Sequence, residues 1–275
     1  MNTYAKKSLG QHFLTSKTVV GDLLRAAKVG ADDTVLEVGP GRGFITEELL
    51  KVAKRVVAVE KDEKMVEFLN EKFASEVKEG RLELVSKDIL SFNPSHWKLE
   101  IGNWKLIGSI PYYITGKLFR TVLENTIKPQ TMALIIQKEV AERAVAKDGK
   151  ESLLSLGIKA FGTPRYVSTV PRQFFSPPPK VSSAVFVIDN ISDAFFTQNG
   201  VSPARFFTVL RAGFAHKRKM LLPSLKEGLG AATAGLGAEK ETLLSAFVAC
   251  EIPEKIRPED MTLANWGCLI KNLKV

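Results

Sequence analysis

Thr34-Val35-Leu36-Glu37-Val38-Gly39-Pro40-Gly41-Arg42-Gly43 runs directly into Phe44-Ile45-Thr46-Glu47-Glu48-Leu49-Leu50. Apolar, largely β-branched residues lead into three glycines, and the glycines lead into apolar residues at helical spacing. The stretch therefore reads as strand, tight turn and helix over residues 34–39 and 44–52. The same alternation continues outward, with strands at 55–59, 81–85, 105–108 and 132–136 and helices at 63–73 and about 117–123. Strand and helix in strict alternation predict a doubly wound, mostly parallel α/β sheet of Rossmann-like form. Two further runs, 166–170 and 183–187, flank Pro177-Pro178-Pro179 and read as an antiparallel pair closing the sheet. From residue 192 onward helical patterns replace strands, at 203–214, 217–222, 240–248 and 258–272. The expected division is thus 1–191, a catalytic domain, and 192–275, a small all-helical domain. The Gly/Ala-rich stretch 228–237 reads as an interhelical loop.

A chain of 275 residues that is 45% hydrophobic has enough apolar material for a sizeable core, which argues against disorder. Lys and Arg number 39 against 30 Asp and Glu, a net charge of +9 that favours a polyanionic partner, although a solvated basic surface produces the same balance. Cys250 and Cys268 have no metal-ligand spacing and read as two reduced, buried thiols; no metal site is assigned. The first residues lead into no apolar signal core, and no apolar run is long enough to cross a bilayer. The expectation is a soluble cytoplasmic monomer.

Glycines at the first turn let backbone approach a ligand at the carboxyl edge of the sheet, where doubly wound folds bind nucleotides. Glu60 follows Gly39 by about twenty residues, at the end of the second strand, where a carboxylate can accept from both ribose hydroxyls. A ligand-free turn would account for the glycines alone; Glu60 is what directs the reading to a nucleotide. The dinucleotide fingerprint is not met, because its third glycine position holds Phe44 and the glycine comes one residue early, at Gly43. The second chemical segment is Leu106-Ile107-Gly108-Ser109-Ile110-Pro111-Tyr112-Tyr113, which follows the fourth strand and emerges at the same edge. The Ser109 oxygen and the Ile110 carbonyl, held before Pro111, can both accept from an amino group on a flat base while Tyr112 stacks against it. The competing reading is a proline-terminated strand with a buried tyrosine.

The glycine turn resembles motif I of the S-adenosylmethionine-dependent methyltransferases. That resemblance implies that Gly39, Gly41 and Gly43 pass the methionine and sugar, Glu60 holds the ribose and Asp88 receives the adenine amino group. An ordered series over nearly the whole chain resembles the ribosomal RNA adenine dimethyltransferases, especially the bacterial small-subunit group. The series runs through Lys7-Ser8-Leu9-Gly10-Gln11-His12-Phe13-Leu14, the turn, Ser109-Ile110-Pro111-Tyr112 and Gln137-Lys138-Glu139-Val140-Ala141-Glu142-Arg143. It ends with Phe175-Ser176-Pro177-Pro178-Pro179-Lys180-Val181 and Phe214-Ala215-His216-Lys217-Arg218-Lys219. From the family, His12, Leu14 and Ser109 are expected at the cofactor, Phe175 is expected to face Tyr112 across the target adenine, and the helical tail is expected to dock RNA.

Methylating a ring amine requires its delocalised lone pair to be aimed at the electrophilic methyl of a sulfonium, and oriented acceptors do this without a strong base. The sequence departs from the family at Ser109, where asparagine is usual. Serine keeps an oxygen acceptor but reaches less far, and losing one aligned acceptor costs ~10-fold to ~1000-fold in rate. In amino-group DNA methyltransferases the matching residue is aspartate, asparagine or serine, so serine is compatible with the chemistry. Lys138, Arg143, Lys147, Lys180, Lys217, Arg218 and Lys219 form either solvated surface or, as favoured, a phosphate-binding face. The expected partner is small-subunit rRNA within a pre-ribosomal particle. The leading expectation is dimethylation of the 6-amino groups of two adjacent adenines in a hairpin loop. The alternatives are a weakly active or inactive RNA-binding ribosome-assembly factor and, less favoured, a large-subunit rRNA adenine methyltransferase.

Overall fold

The computed structural model describes residues 10–91, 93–94, 99, 103–216, 219–232 and 240–273. Its strands are β1 Phe13–Leu14, β2 Thr34–Val38, β3 Arg55–Glu60, β4 Leu82–Ser86, β5 Trp104–Ser109, β6 Thr131–Gln137, β7 Thr163–Val170, β8 Phe175–Ser176 and β9 Ser183–Asp189. Helices α1 Lys17–Ala26, α2 Phe44–Val52, α3 Glu63–Lys72, α4 Ala74–Lys78, α5 Thr115–Leu123 and α6 Lys138–Ala144 lie between or before them. Then come α7 Leu153–Lys159, α8 Ala194–Asn199, α9 Pro203–Gly213, α10 Leu221–Ala232, α11 Lys240–Ala249 and α12 Leu263–Asn272.

Seven strands form one sheet in the order β4-β3-β2-β5-β6-β9-β7. The first five are parallel, and β9 pairs antiparallel with both β6 and β7. The mostly parallel sheet with an antiparallel end is therefore present as the sequence predicts. Its central strands read as continuous apolar runs because both faces are covered: Val35, Leu36, Val56, Val57, Leu106 and Ile107 are all fully buried. Burying each such side chain stabilises the fold by roughly 1.5–3 kcal/mol. From β2 the chain steps outward to β3 and β4, then returns to lay β5 on the other side of β2. That reversal opens a crevice at the carboxyl ends of β2 and β5, the place where open α/β sheets bind ligands.

The chain divides into two compact units. One holds the described residues up to Ala141 together with Thr163–Ile191; the other takes Glu142–Gly162 with the described residues from Ser192 on. The second unit thus reaches back for a segment that sequence reasoning placed with the sheet. Its core is aromatic: Phe196 and Phe206 meet edge to face at 5.7 Å, Phe161 lies 4.8 Å from Phe196, and Phe214 stacks on Trp266.

Several expectations are corrected here. The expected helix 217–222 begins at Lys217 and Arg218, which lie outside the described residues; α10 begins at Leu221 and continues into the Gly/Ala-rich stretch. Pro223 belongs to the first turn of α10, where a missing N–H leaves nothing unsatisfied, so Leu221-Leu222-Pro223 opens a helix and does not end one. The run 258–272 is split into a short turn at Pro258–Asp260 and α12, whose start is set by a reciprocal cap between Thr262 and Asn265. Helices α1, α4, α6, α7 and α8 were not anticipated. Cys250 and Cys268 are not two reduced thiols but a disulfide, with Cα atoms 5.8 Å apart, between the end of α11 and the middle of α12. A separation of 18 residues carried no sign of this, because α12 has to fold back along α11 before the two sulfurs meet. No helix among the described residues is long and apolar enough to cross a membrane.

Candidate active site

The glycine turn leaves β2 with left-handed backbone at Gly39, Gly41 and Gly43, at φ of +67°, +54° and +74°. Such a conformation costs an L-residue roughly 1–2 kcal/mol. The Gly39 N–H donates to the Val59 carbonyl and the Gly43 N–H to that of Pro40, which closes the turn. A Cβ on Gly41 would stand 2.9 Å from the Phe13 ring, so the bare backbone there lets the N-terminal segment lie across the turn. Arg42 covers that same ring, its guanidinium carbon 4.6 Å from the centroid.

Two carboxylates follow at the ends of the next strands. Glu60 closes β3, where its Oε2 accepts from the Gly41 N–H at 3.2 Å and its Oε1 from the N–H groups of Lys61 and Asp62 at 2.8 and 2.9 Å. Oε1 is filled by its two backbone donors, and Oε2 keeps a lone pair for a further donor, so a ribose hydroxyl can still bind there. Burial raises the Glu60 carboxyl above its ordinary value, against the opposing pull of those three backbone donors. Asp88 follows β4, where Oδ1 accepts from the Leu90 N–H and Oδ2 from the Lys61 ammonium, both at 2.9 Å. Desolvation alone would push Asp88 up, but the Leu90 N–H and Lys61 outweigh it and hold the carboxyl low. Lys61, which the sequence reading passed over, thus adds to the pull that holds the second carboxyl low.

The opposite wall follows β5. Ser109 is its last residue, half-buried, and Ile110 and Pro111 lead into a single tight turn, Tyr112–Ile114. Tyr112 is half-buried and its hydroxyl lies 2.7 Å from Ser183 Oγ. Burial raises this phenol, and the bond to Ser183 partly offsets the shift. Phe175 arrives from far along the chain, because β1 and β8 pair antiparallel with Leu14 opposite Phe175. His12, one residue before that ribbon, places Nδ1 2.7 Å from the Pro177 carbonyl and its ring 6.3 Å from that of Tyr112 at an interplanar angle of 25°.

Every expected catalytic and cofactor residue except Gly43 lines one cleft. Gly43 is the correction. It stands behind the wall as the N-cap of α2, where a Cβ would meet Phe73 at 2.5 Å and Leu69 at 2.8 Å, so this glycine serves the packing of α2 against α3. The sequence reading also passed over Glu37. Its carboxyl is fully buried on β2, with Oε2 accepting from the Thr46 hydroxyl at 2.7 Å and Oε1 without a protein partner. The donor set suits a methionine-bearing nucleoside: two carboxylates for hydroxyls and an amine, bare backbone at the turn, and an orphaned buried oxygen beneath it.

The expected RNA-contacting residues fall on both units. Lys138 and Lys180 belong to the unit that holds the cleft; Arg143, Lys147 and Lys219 belong to the helical unit. Lys147 is paired with Glu142 at 2.7 Å and Lys219 with Glu227 at 3.1 Å. Lys217 and Arg218 are outside the described residues.

Comparison with known proteins gives concordant results. The family model described as ribosomal RNA adenine dimethylase matches residues 2–243. A Dehalococcoides mccartyi protein named ribosomal RNA small subunit methyltransferase A is 41% identical over 262 residues, 95% of this chain and 86% of the relative. A Fusobacterium nucleatum protein of the same name is 33% identical, covering 97% of this chain and 96% of the relative. Among solved structures, a dimethyladenosine transferase from Plasmodium falciparum superposes with a TM-score of 0.76 at 25% identity, covering 94% of this chain and 96% of that one.

Proposed function

The chain belongs to the ribosomal RNA adenine dimethylase family, and from that premise we propose that it transfers methyl groups from S-adenosylmethionine to the 6-amino groups of two adjacent adenines in a small-subunit rRNA hairpin loop. The observation that carries the reading is the junction at Ser109. An acceptor and a stacking ring stand at the carboxyl end of β5, and the turn and carboxylates at the ends of β2, β3 and β4 border the same cleft. When bound, the cofactor supplies an electrophilic methyl on sulfur. Glu60 would hold the ribose, Asp88 would accept from the cofactor's adenine amine, and Gly39 and Gly41 would let the backbone approach the methionine, with His12 and Leu14 lining the same cleft.

The target base lies between Tyr112 and Phe175. Its amine donates to Ser109 Oγ and the Ile110 carbonyl, which turns the nitrogen lone pair toward the methyl. A methylated amine is acidic enough to release its proton to a carbonyl or water, so no basic side chain is required at Ser109. Lys138, Arg143, Lys147, Lys180, Lys217, Arg218 and Lys219 contribute phosphate contacts, and the helical unit docks the RNA. The protein acts as a monomer in the cytoplasm, on a pre-ribosomal particle.

The serine at 109 also favours a specific second reading, a binding factor with little catalysis. Labelled cofactor and unmethylated small-subunit particles separate the two. Transfer by the native protein supports the enzyme; no transfer by the native protein with transfer by Ser109→Asn assigns it the binding role.

A further inference from the structure

Tyr112, the ring that stacks on the base, sits on a single tight turn before α5. Backbone bonds close that turn, from the Ile114 N–H to the Pro111 carbonyl at 3.2 Å and from the Thr115 N–H to the Tyr112 carbonyl, but they hold the main chain and not the far end of the ring. A ring on such a turn needs an anchor elsewhere, because aiming an amine demands placement to a fraction of an ångström. The fold supplies that anchor 71 residues away in sequence, where the Tyr112 hydroxyl meets Ser183 Oγ at 2.7 Å. Ser183 opens β9 and is fully buried, and its backbone is flanked by Gln137 of β6 on one side and Val170 of β7 on the other. Strand register on both sides leaves its oxygen little room to move.

We infer that Ser183 is a positioning residue for the reaction, acting through Tyr112: the hydrogen bond pins the far end of the ring, so that the target base stacks where its amine faces Ser109 and Ile110. The inference rests on the methyl-transfer reading and adds to it a residue that no cleft-lining argument finds, since Ser183 is absent from the cleft wall. A hydroxyl was not dictated by the neighbouring sequence. Ser183 is followed by Ala184-Val185-Phe186-Val187, all fully buried, and alanine at 183 would continue that apolar run. A buried hydroxyl is retained in a sheet interior when it has a partner, and here the partner is the stacking ring.

The test compares the native protein with Ser183→Ala, Tyr112→Phe and the double variant. Tyr112→Phe keeps the ring, removes the bond and leaves β9 untouched, so it reports even if Ser183→Ala folds poorly. Each single change is expected to lower kcat roughly 3- to 10-fold, the range set by one net hydrogen bond, with cofactor affinity unchanged. The double variant is expected to be no slower than either single one, because the same bond is lost once. A 2-aminopurine at the target position of a hairpin RNA gives a reading independent of turnover: its quenching on stacking weakens in all three variants. Multiplying rate losses in the double variant, or unchanged quenching in Ser183→Ala, overturns the inference. A native protein that quenches the probe but transfers no methyl defeats the enzymatic reading instead, and the quenching arm still decides whether Ser183 places the ring.

Discussion

The wall of the cleft that we assign to the cofactor and the wall that we assign to the base meet at Ser109, but they are made by different means. The cofactor wall is short-range in sequence: the turn, Glu60 and Asp88 follow three successive strands of one parallel sheet, and backbone N–H groups of the same loops fix both carboxylates. The base wall is assembled from distant segments, with Phe175 carried in on a two-residue ribbon against Leu14 and Tyr112 tied to Ser183. Charge and bare backbone define the first wall, and neutral rings and single hydrogen bonds the second. The first should therefore be sensitive to pH and to added atoms, the second to small losses of alignment.

The largest expected effect concerns Glu37. Burial pushes its carboxyl up to about 8, with the Thr46 hydroxyl opposing the shift and the Glu60 carboxylate adding to it. A carboxyl raised in the folded state keeps its proton there after the unfolded chain has lost it. Stability is therefore undiminished below 4.5, falls as pH rises from 4.5 to about 8, and is level above that. The full fall is on the order of 5 kcal/mol at about 1.4 kcal/mol per unit. Urea midpoints between pH 5 and 9 should show this slope in the cofactor-free protein and a much shallower one, left by the raised Glu60 carboxyl, in Glu37→Gln; parallel curves would show that Glu37 does not set the pH dependence.

Next in size is Gly43→Ala. Left-handed backbone and a Cβ pressed into Phe73 and Leu69 together should destabilise the fold by roughly 2–4 kcal/mol, read as a lower thermal midpoint. If the variant keeps its midpoint and loses only cofactor binding, Gly43 acts on the ligand after all. Ser109→Ala removes the acceptor without adding volume, and should lower kcat about 100-fold, as loss of a transition-state donor or acceptor does. Cofactor affinity measured by calorimetry should change far less; an equal loss in both would place Ser109 wholly on the cofactor wall. The smallest effect belongs to Glu60→Gln, which weakens one charge-assisted contact and should raise the cofactor dissociation constant about 10-fold. Quenching of a 2-aminopurine probe by the base wall should be unaffected, and its loss would show that the two walls are coupled.

How much of this was legible in the sequence follows the same contrast. Strands β2, β3, β5 and β6 announce themselves as unbroken apolar runs because both faces of a parallel sheet are covered. The turn announces itself because left-handed backbone selects glycine. The residues expected at the cofactor and the base, Gly43 excepted, do line one cleft. Ribbon β1–β8 was invisible, since two-residue strands have no periodicity to read. Gly43 was misplaced because the turn is common to the ligand and to helix packing, and only the nearness of Phe73 and Leu69 separates them. Lys61, Glu37 and Ser183 passed unnoticed for a related reason: each gains its meaning from a partner, Asp88, Thr46 or Tyr112, that the fold brings near.

By itself, then, the sequence determined the parallel sheet, the gathering of the candidate site at its carboxyl edge and the chemical types found there, because periodicity, backbone conformation and side-chain chemistry are local properties that a residue carries wherever it goes. Only the tertiary structure decided which glycine faces the cleft, which carboxyl Lys61 helps to hold low, how Cys250 finds Cys268 and what steadies Tyr112. Those are properties of pairs, and a pair of residues far apart in the chain acquires an energy only when the fold has brought them within reach.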